Sequence, residues 1–153
     1  MDSDHVARLL VELGGRTPRI ESIVQEADVP RWAIELEDGL VVIAELDQER
    51  TLLSLETDLG RPPEKHRLAT CEALMIFTSL KHASHGFAMA LGEPGGDFQL
   101  CGHVLMTEFD SEKFQSNFFA FADCAQQWKE IITRDIQQDF FLTNEIFSNE
   151  LRA

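Results

Sequence analysis

The sequence predicts an α+β domain: a twisted antiparallel sheet of about five strands covered by three helices, in the order α-βββ-α-ββ-α. Three observations carry that prediction. The stretch WAIELEDGLVVIAELDQERTLLSLETDL, Trp32 to Leu59, largely keeps the period of two that a half-buried sheet requires and is divided by two hairpin-length breaks. Residues 98 to 106 alternate in the same way after a glycine-rich connection. Two long segments, one opened by Pro62-Pro63 and one by Asp110-Ser111-Glu112, follow the helical period instead.

Taken in order, residues 3 to 14 form a short amphipathic helix, with Ser3 as N-cap, Val6, Leu9, Leu10 and Leu13 on one stripe and Gly14-Gly15 as the stop. A terminal helix of that length is marginal without tertiary packing, so it is expected to shift and admit a peptide. Residues 16 to 31 hold two prolines and scattered Ile20, Ile23 and Val24, and read as a connection with at most a short irregular strand. In the first strand Trp32, Ile34 and Leu36 alternate with Ala33, Glu35 and Glu37; Asp38-Gly39 supplies the positive φ of a tight hairpin. The middle strand, Leu40 to Ala44, is apolar on both faces and therefore needs a second cover, whether helix, subunit or bound chain. After the break at residues 47–50, Leu53 and Leu55 alternate with Ser54, Glu56 and Asp58.

The proline-started helix runs from about residue 60 to about Lys81, and between residues 73 and 77 it is apolar all round, so it must be buried on two sides. His66 falls in its first turn and reads as exposed; His82 and His85 suit the negative end of its dipole. Phe87 to Leu91 and Phe98 to Met106 form a second hairpin around the loop GEPGGD. The last helix carries the stripe Phe114, Phe118, Phe121, Ala125, Trp128, Ile132 to about Arg134. Residues 1–134 thus make a single domain, and 135–153, with Phe140, Phe141, Ile146, Phe147 and Leu151, a tail or an extra helix.

With 27 acidic against 13 basic side chains among 153 residues, the formal charge of −14 repels phosphate backbones and anionic lipid. Nucleic acid and membrane are therefore excluded as partners, and basic or neutral polypeptide is favoured. Three unpaired cysteines, Cys71, Cys101 and Cys124, read as free thiols of a reducing cytoplasm, and the acidic N-terminus is not that of a signal peptide. The histidines and cysteines show no metal-ligand spacing, and the loop 92–97 joins strand to strand without the lysine of a phosphate cradle. No G-x-S-x-G elbow occurs, and the strand carboxylates Glu35, Glu37, Glu45, Glu56 and Asp58 fall at outward or terminal positions, where solvation is the default. No catalytic residue, metal or cofactor is expected.

What remains is surplus apolar surface in a small acidic chain. The helix 60–81 and the strand 87–91 point Leu74, Met75, Phe77, Phe87, Met89 and Leu91 in directions that one sheet cannot cover, which predicts a two-fold homodimer interface there. The element order, the meander WAIELEDGLVVIAEL with TLLSLETDLG, the helix PPEKHRLATCEALMIFTSL and the closing FFAFADCAQQWKEII resemble the Tir chaperone family of bacterial type III secretion over residues 3 to 134. The resemblance implies a cytoplasmic bacterial homodimer without enzymatic activity or nucleotide. It also implies that a secreted effector winds an unfolded N-terminal segment around the dimer, partly by strand addition, with the secretion apparatus as a further partner. The grooves implied lie on helix one and the sheet, which in this chain offers Leu9, Leu13, Ile34, Leu36, Val41, Ile43, Leu53 and Leu55. The tail after Arg134 is longer and more aromatic than the resemblance leads one to expect. The alternative is a regulatory binding module of the same fold that sequesters a transcription factor or another chaperone; a small enzyme using scattered acids ranks below both.

Overall fold

The computed structural model describes residues 3–106 and 111–134, with 81–85 described as backbone alone. The expectations for residues 107–110 and for the tail 135–153 fall outside the described residues. The elements run α1 (Ser3–Arg16), β1 (Ile20–Gln25), β2 (Arg31–Leu36), β3 (Val41–Asp47), β4 (Leu52–Gly60), a 3-10 turn (Glu64–His66), α2 (Arg67–His85), β5 (Ala88–Leu91), β6 (Phe98–Leu105) and α3 (Ser111–Thr133). The strands pair antiparallel in the order β1-β2-β3-β4-β6-β5.

The expected architecture is present with one more strand than the sequence led us to count. Ile20–Gln25, read as a connection, pairs with β2, but a register shift between Ile20 and Ser22 breaks its alternation and hides it from a period-two search. The turns follow the residues that announced them. Gly39 adopts φ +80, its amide donates to the Leu36 carbonyl, and the Asp38 carboxylate accepts from the Leu40 amide. At the second turn Asp47 accepts from the Arg50 amide, and Thr51 takes φ +52.

The helices and sheet form two layers around one core. Trp32, Ile34, Leu36, Val42, Leu53 and Leu55 face it from the sheet, Val6, Leu10 and Leu13 from α1, Leu74 and Phe77 from α2, and the whole predicted stripe of α3 from the third helix. Phe77 meets Trp128 edge to face at 5.1 Å, which ties α2 to α3. Phe87 meets Phe121 in the same way at 5.4 Å. Gly102 lets α3 approach the sheet, since a Cβ there would lie 3.0 Å from the Phe121 ring.

One expectation is corrected. His66 is buried rather than exposed: its amide donates to the Pro63 carbonyl and its carbonyl accepts from the Thr70 hydroxyl, so it forms part of the turn that starts α2. The N-terminal helix, expected to shift and admit a peptide, is packed on the sheet in the protomer. Val6, Leu10 and Leu13 are buried, and Gly14 sits so close to Ile23 that an added Cβ would lie 3.1 Å from its side chain.

Candidate protein-binding surfaces

The first surface is the outer side of α2 and the neighbouring edge strand β5. The helix is divided along its length: Leu74 and Phe77 enter the core, whereas Met75 and Leu68 are each 73% exposed and Ile76 and Leu80 also face solvent. The all-round apolar segment is thus covered on one side only. Between α2 and the sheet edge lies a cleft of about 340 Å³ lined by Cys71, Leu74, Met75, Met89, Leu91 and Phe98, almost wholly apolar. The Met89 amide donates to the Thr78 hydroxyl at 2.9 Å, so β5 is tied to the helix it flanks. Of the six residues expected at a dimer interface, Met75 and Leu91 are exposed, Met89 is half-buried, and Leu74, Phe77 and Phe87 are core. Leu68, Ile76 and Leu80 extend the open face. Their signal was the absence of a polar side on the helix, which does not say which apolar residues the core takes.

The second surface is the side of the sheet away from the helices. Burial alternates along β2, β3 and β4, and it resolves the two apolar faces of the middle strand: Val42 and Ala44 are core, while Val41 is 42% exposed and Ile43 is half-buried on the open side. Ile43 stands opposite Ala33 on β2 and Glu56 on β4; Val41 stands opposite Glu35. On the core side of β4 the buried Thr57 hydroxyl donates to the Val41 carbonyl at 2.7 Å. Glu35, Glu37, Glu45, Glu56 and Asp58 are all exposed, as their strand positions predicted.

Of the eight expected groove residues, Val41, Ile43 and the half-buried Leu9 are accessible. Leu13, Ile34, Leu36, Leu53 and Leu55 are in the core, 5% exposed or less, and meet a ligand only if a helix leaves the sheet. The sequence pattern gave these strands an apolar and a polar side but did not say that the apolar side would be filled from within.

Burial, and after it the Glu56 carboxylate, pushes the Cys101 thiol above its ordinary value of 9.0, which keeps it protonated and a poor nucleophile at neutral pH. Among the described residues no group of three or more His, Cys, Asp or Glu is placed to hold a metal ion. Nor, among them, is any helix long and apolar enough to cross a membrane.

Six antiparallel strands in this order, with helices packed on one side and an uncovered apolar flank on α2, define the α+β class of the fold. Residues 9–129 match the Tir chaperone protein (CesT) family, and the chain belongs to it. Solved structures that share the fold include three complexes. The crystal structure of the ExsC-ExsE complex contains a chain 23% identical, with a TM-score of 0.71, and the match covers 89% of this chain and 100% of that one. The HopA1-SchA chaperone-effector complex matches at 15% identity and a TM-score of 0.65, covering 85% and 98%. The Yersinia pestis type III secretion chaperone SycH, solved with a fragment of YscM2, matches at 17% and 0.56, covering 82% and 98%. No curated protein sequence is significantly similar.

Proposed function

We propose that this protein is a non-enzymatic type III secretion chaperone of the bacterial cytoplasm, which as a homodimer binds the N-terminal segment of a secreted effector in extended form and keeps it export-competent. The observation that carries the reading is the uncovered apolar surface, on α2 and on the open sheet face, of a chain that belongs to a family of secretion chaperones. An extended segment needs no rigid site. It gains affinity from backbone pairing at a sheet edge and from alternate side chains set on apolar surface, and while bound it neither folds nor aggregates. The net charge of −14 keeps a chaperone with such surface from associating with itself at random. The secretion apparatus then receives the loaded complex.

The test is copurification of the tagged full chain from its native host, followed by mass spectrometry. One dominant exported protein, captured through its N-terminal segment, is expected. Recovery of a transcription factor or of another chaperone would replace this reading with the regulatory one, and a clean protein that captures no exported polypeptide would overturn it. Ile43→Asp should abolish capture while the circular dichroism spectrum stays unchanged, because the side chain lies on the open side of β3; unfolding by that substitution would place Ile43 in the core.

A further inference from the structure

We infer that the open sheet face around Val41 and Ile43 takes a cationic segment, an extended polypeptide in which arginine or lysine flanks aliphatic side chains. The role of such a segment rests on the proposed chaperone function; its chemistry rests on the face itself. Ile43 is bordered by Glu56 across β4 and by Glu45 two residues along its own strand, and Val41 by Glu35 across β2. Asp58 lies two residues beyond Glu56 on the same face of β4, as the burial pattern requires. Sheet geometry, with strands about 4.8 Å apart and alternate residues about 6.7 Å apart, sets the Cα atoms of all four acids within roughly 8 Å of that of Ile43.

Among the described residues, acid outnumbers base on this face. Among them none of the four is in an ion pair; there Glu35 accepts from the Ser22 hydroxyl and Asp58 from the Gln99 amide, both neutral donors. Of the nearby arginines, Arg31 on β2 stands opposite Glu45 and pairs with Glu26 at 3.8 Å, and Arg50 pairs with Asp47 at 3.6 Å, so the face keeps an excess of acid over base. Glu56 lies about 7–8 Å, Cα to Cα, from both Asp58 and Glu45, inside one screening length of about 10 Å, so these neighbours repel and a cationic ligand gains attraction and relieves repulsion at once. The raised Cys101 thiol, which feels Glu56 after its own burial, reports the same field from the adjacent strand.

The sign of the face also selects against its other possible occupants. The tail 135–153 carries Asp135, Asp139, Glu145 and Glu150 against the one cation Arg152, so it would bring acid to acid. A second copy of the chain docked face to face would set identical carboxylates opposite each other. A strand whose aliphatic residues rest on Val41, Ile43 and Ala33, with basic residues at alternate or flanking positions, matches both the apolar strip and its border.

The experiment uses the full chain and three labelled twelve-residue peptides, alternating Arg-Val, Ser-Val and Glu-Val, with binding followed by fluorescence anisotropy. Arg-Val should bind best. Glu35→Gln, Glu45→Gln, Glu56→Gln and Asp58→Asn together should weaken it about tenfold or more, the sum of four modest charge contacts. A control set with the same change in charge, Glu12→Gln, Glu72→Gln, Glu93→Gln and Glu130→Gln, should weaken it less than about threefold, since distant exposed charges are screened. Val41→Ser with Ile43→Ser should weaken Arg-Val and Ser-Val alike. Equal effects of the two charge sets, or indifference to the Val41 and Ile43 changes, would overturn the inference in favour of general attraction to an acidic protein. An effector captured as above but indifferent to the four face substitutions would defeat this inference and leave the chaperone reading standing; face-dependent peptide binding with no exported protein captured would do the reverse.

Discussion

A methyl group added at Gly102 would stand 3.0 Å from the ring of Phe121 and 3.2 Å from that of Phe87, the two rings that pin α3 to the sheet. Gly102→Ala must therefore displace packed aromatics, and a loss of about 1–3 kcal/mol is expected from the urea midpoint; an unchanged midpoint would show that the rings have room. Thr51 presents the opposite case, a β-branched residue held at φ +52, and Thr51→Gly should raise stability by up to about 1 kcal/mol in the same assay. The Cys101 thiol adds a pH dependence. Its folded-state pKa is raised, by burial first and Glu56 second, so its contribution is fully present below the unfolded value and is lost as pH rises through the folded one. Thiol titration with a chromogenic disulfide should show Cys101 reacting more slowly than a free thiol at pH 9, and Glu56→Gln should speed it. These particulars lay beyond a reading of residues in line, because each depends on which side chain a neighbouring element brings to within a few ångströms.

At the scale of elements, α1 decides how much of the expected groove is real. Its three buried residues, Val6, Leu10 and Leu13, contribute on the order of 1.5–3 kcal/mol each, a large share of the roughly 5–15 kcal/mol that holds a domain together. Deleting residues 1–14 should therefore unfold the protein or lower its melting temperature steeply, rather than yield a folded chain that merely captures less; a deletion variant that melts within a few degrees of the parent would restore the view of α1 as a movable flap. The stripe of α1, the Asp38-Gly39 turn, the three-strand meander and all of α3 were legible because local chemistry and global position agree there. The strand β1 was not, since a bulge displaces its alternation and Pro18 and Pro30 flank it. The middle strand posed the harder case. Val41 and Val42 are the same residue type side by side, and only the helices packed on one side of the sheet make one of them core and the other surface.

At the scale of the molecule, the question is what covers α2. The sequence argued from an all-round apolar helix to a two-fold contact, and the protomer uses part of that surface internally: Leu74, Phe77 and Phe87 are core. The proposed interface is correspondingly narrower and better defined, comprising Leu68, Met75, Ile76 and Leu80 on the helix, Leu91 on the edge strand and the apolar cleft between them. A self-complementary contact crosses its own symmetry mate, so each substitution is present twice and its cost is doubled. This separates two kinds of variant. Leu74→Glu puts a charge into the protomer core and should unfold the chain whatever its assembly state. Met75→Glu with Leu68→Glu instead places charge on side chains that are 73% exposed in the protomer, so folding should survive while four carboxylates are driven into the dimer contact. Each buried unpaired charge costs several kcal/mol, so dissociation should be at least about a hundredfold more favourable. Sedimentation equilibrium of the parent should give a dimer and of the double variant a folded monomer; a variant that remains a dimer of unchanged affinity would move the interface away from α2 altogether.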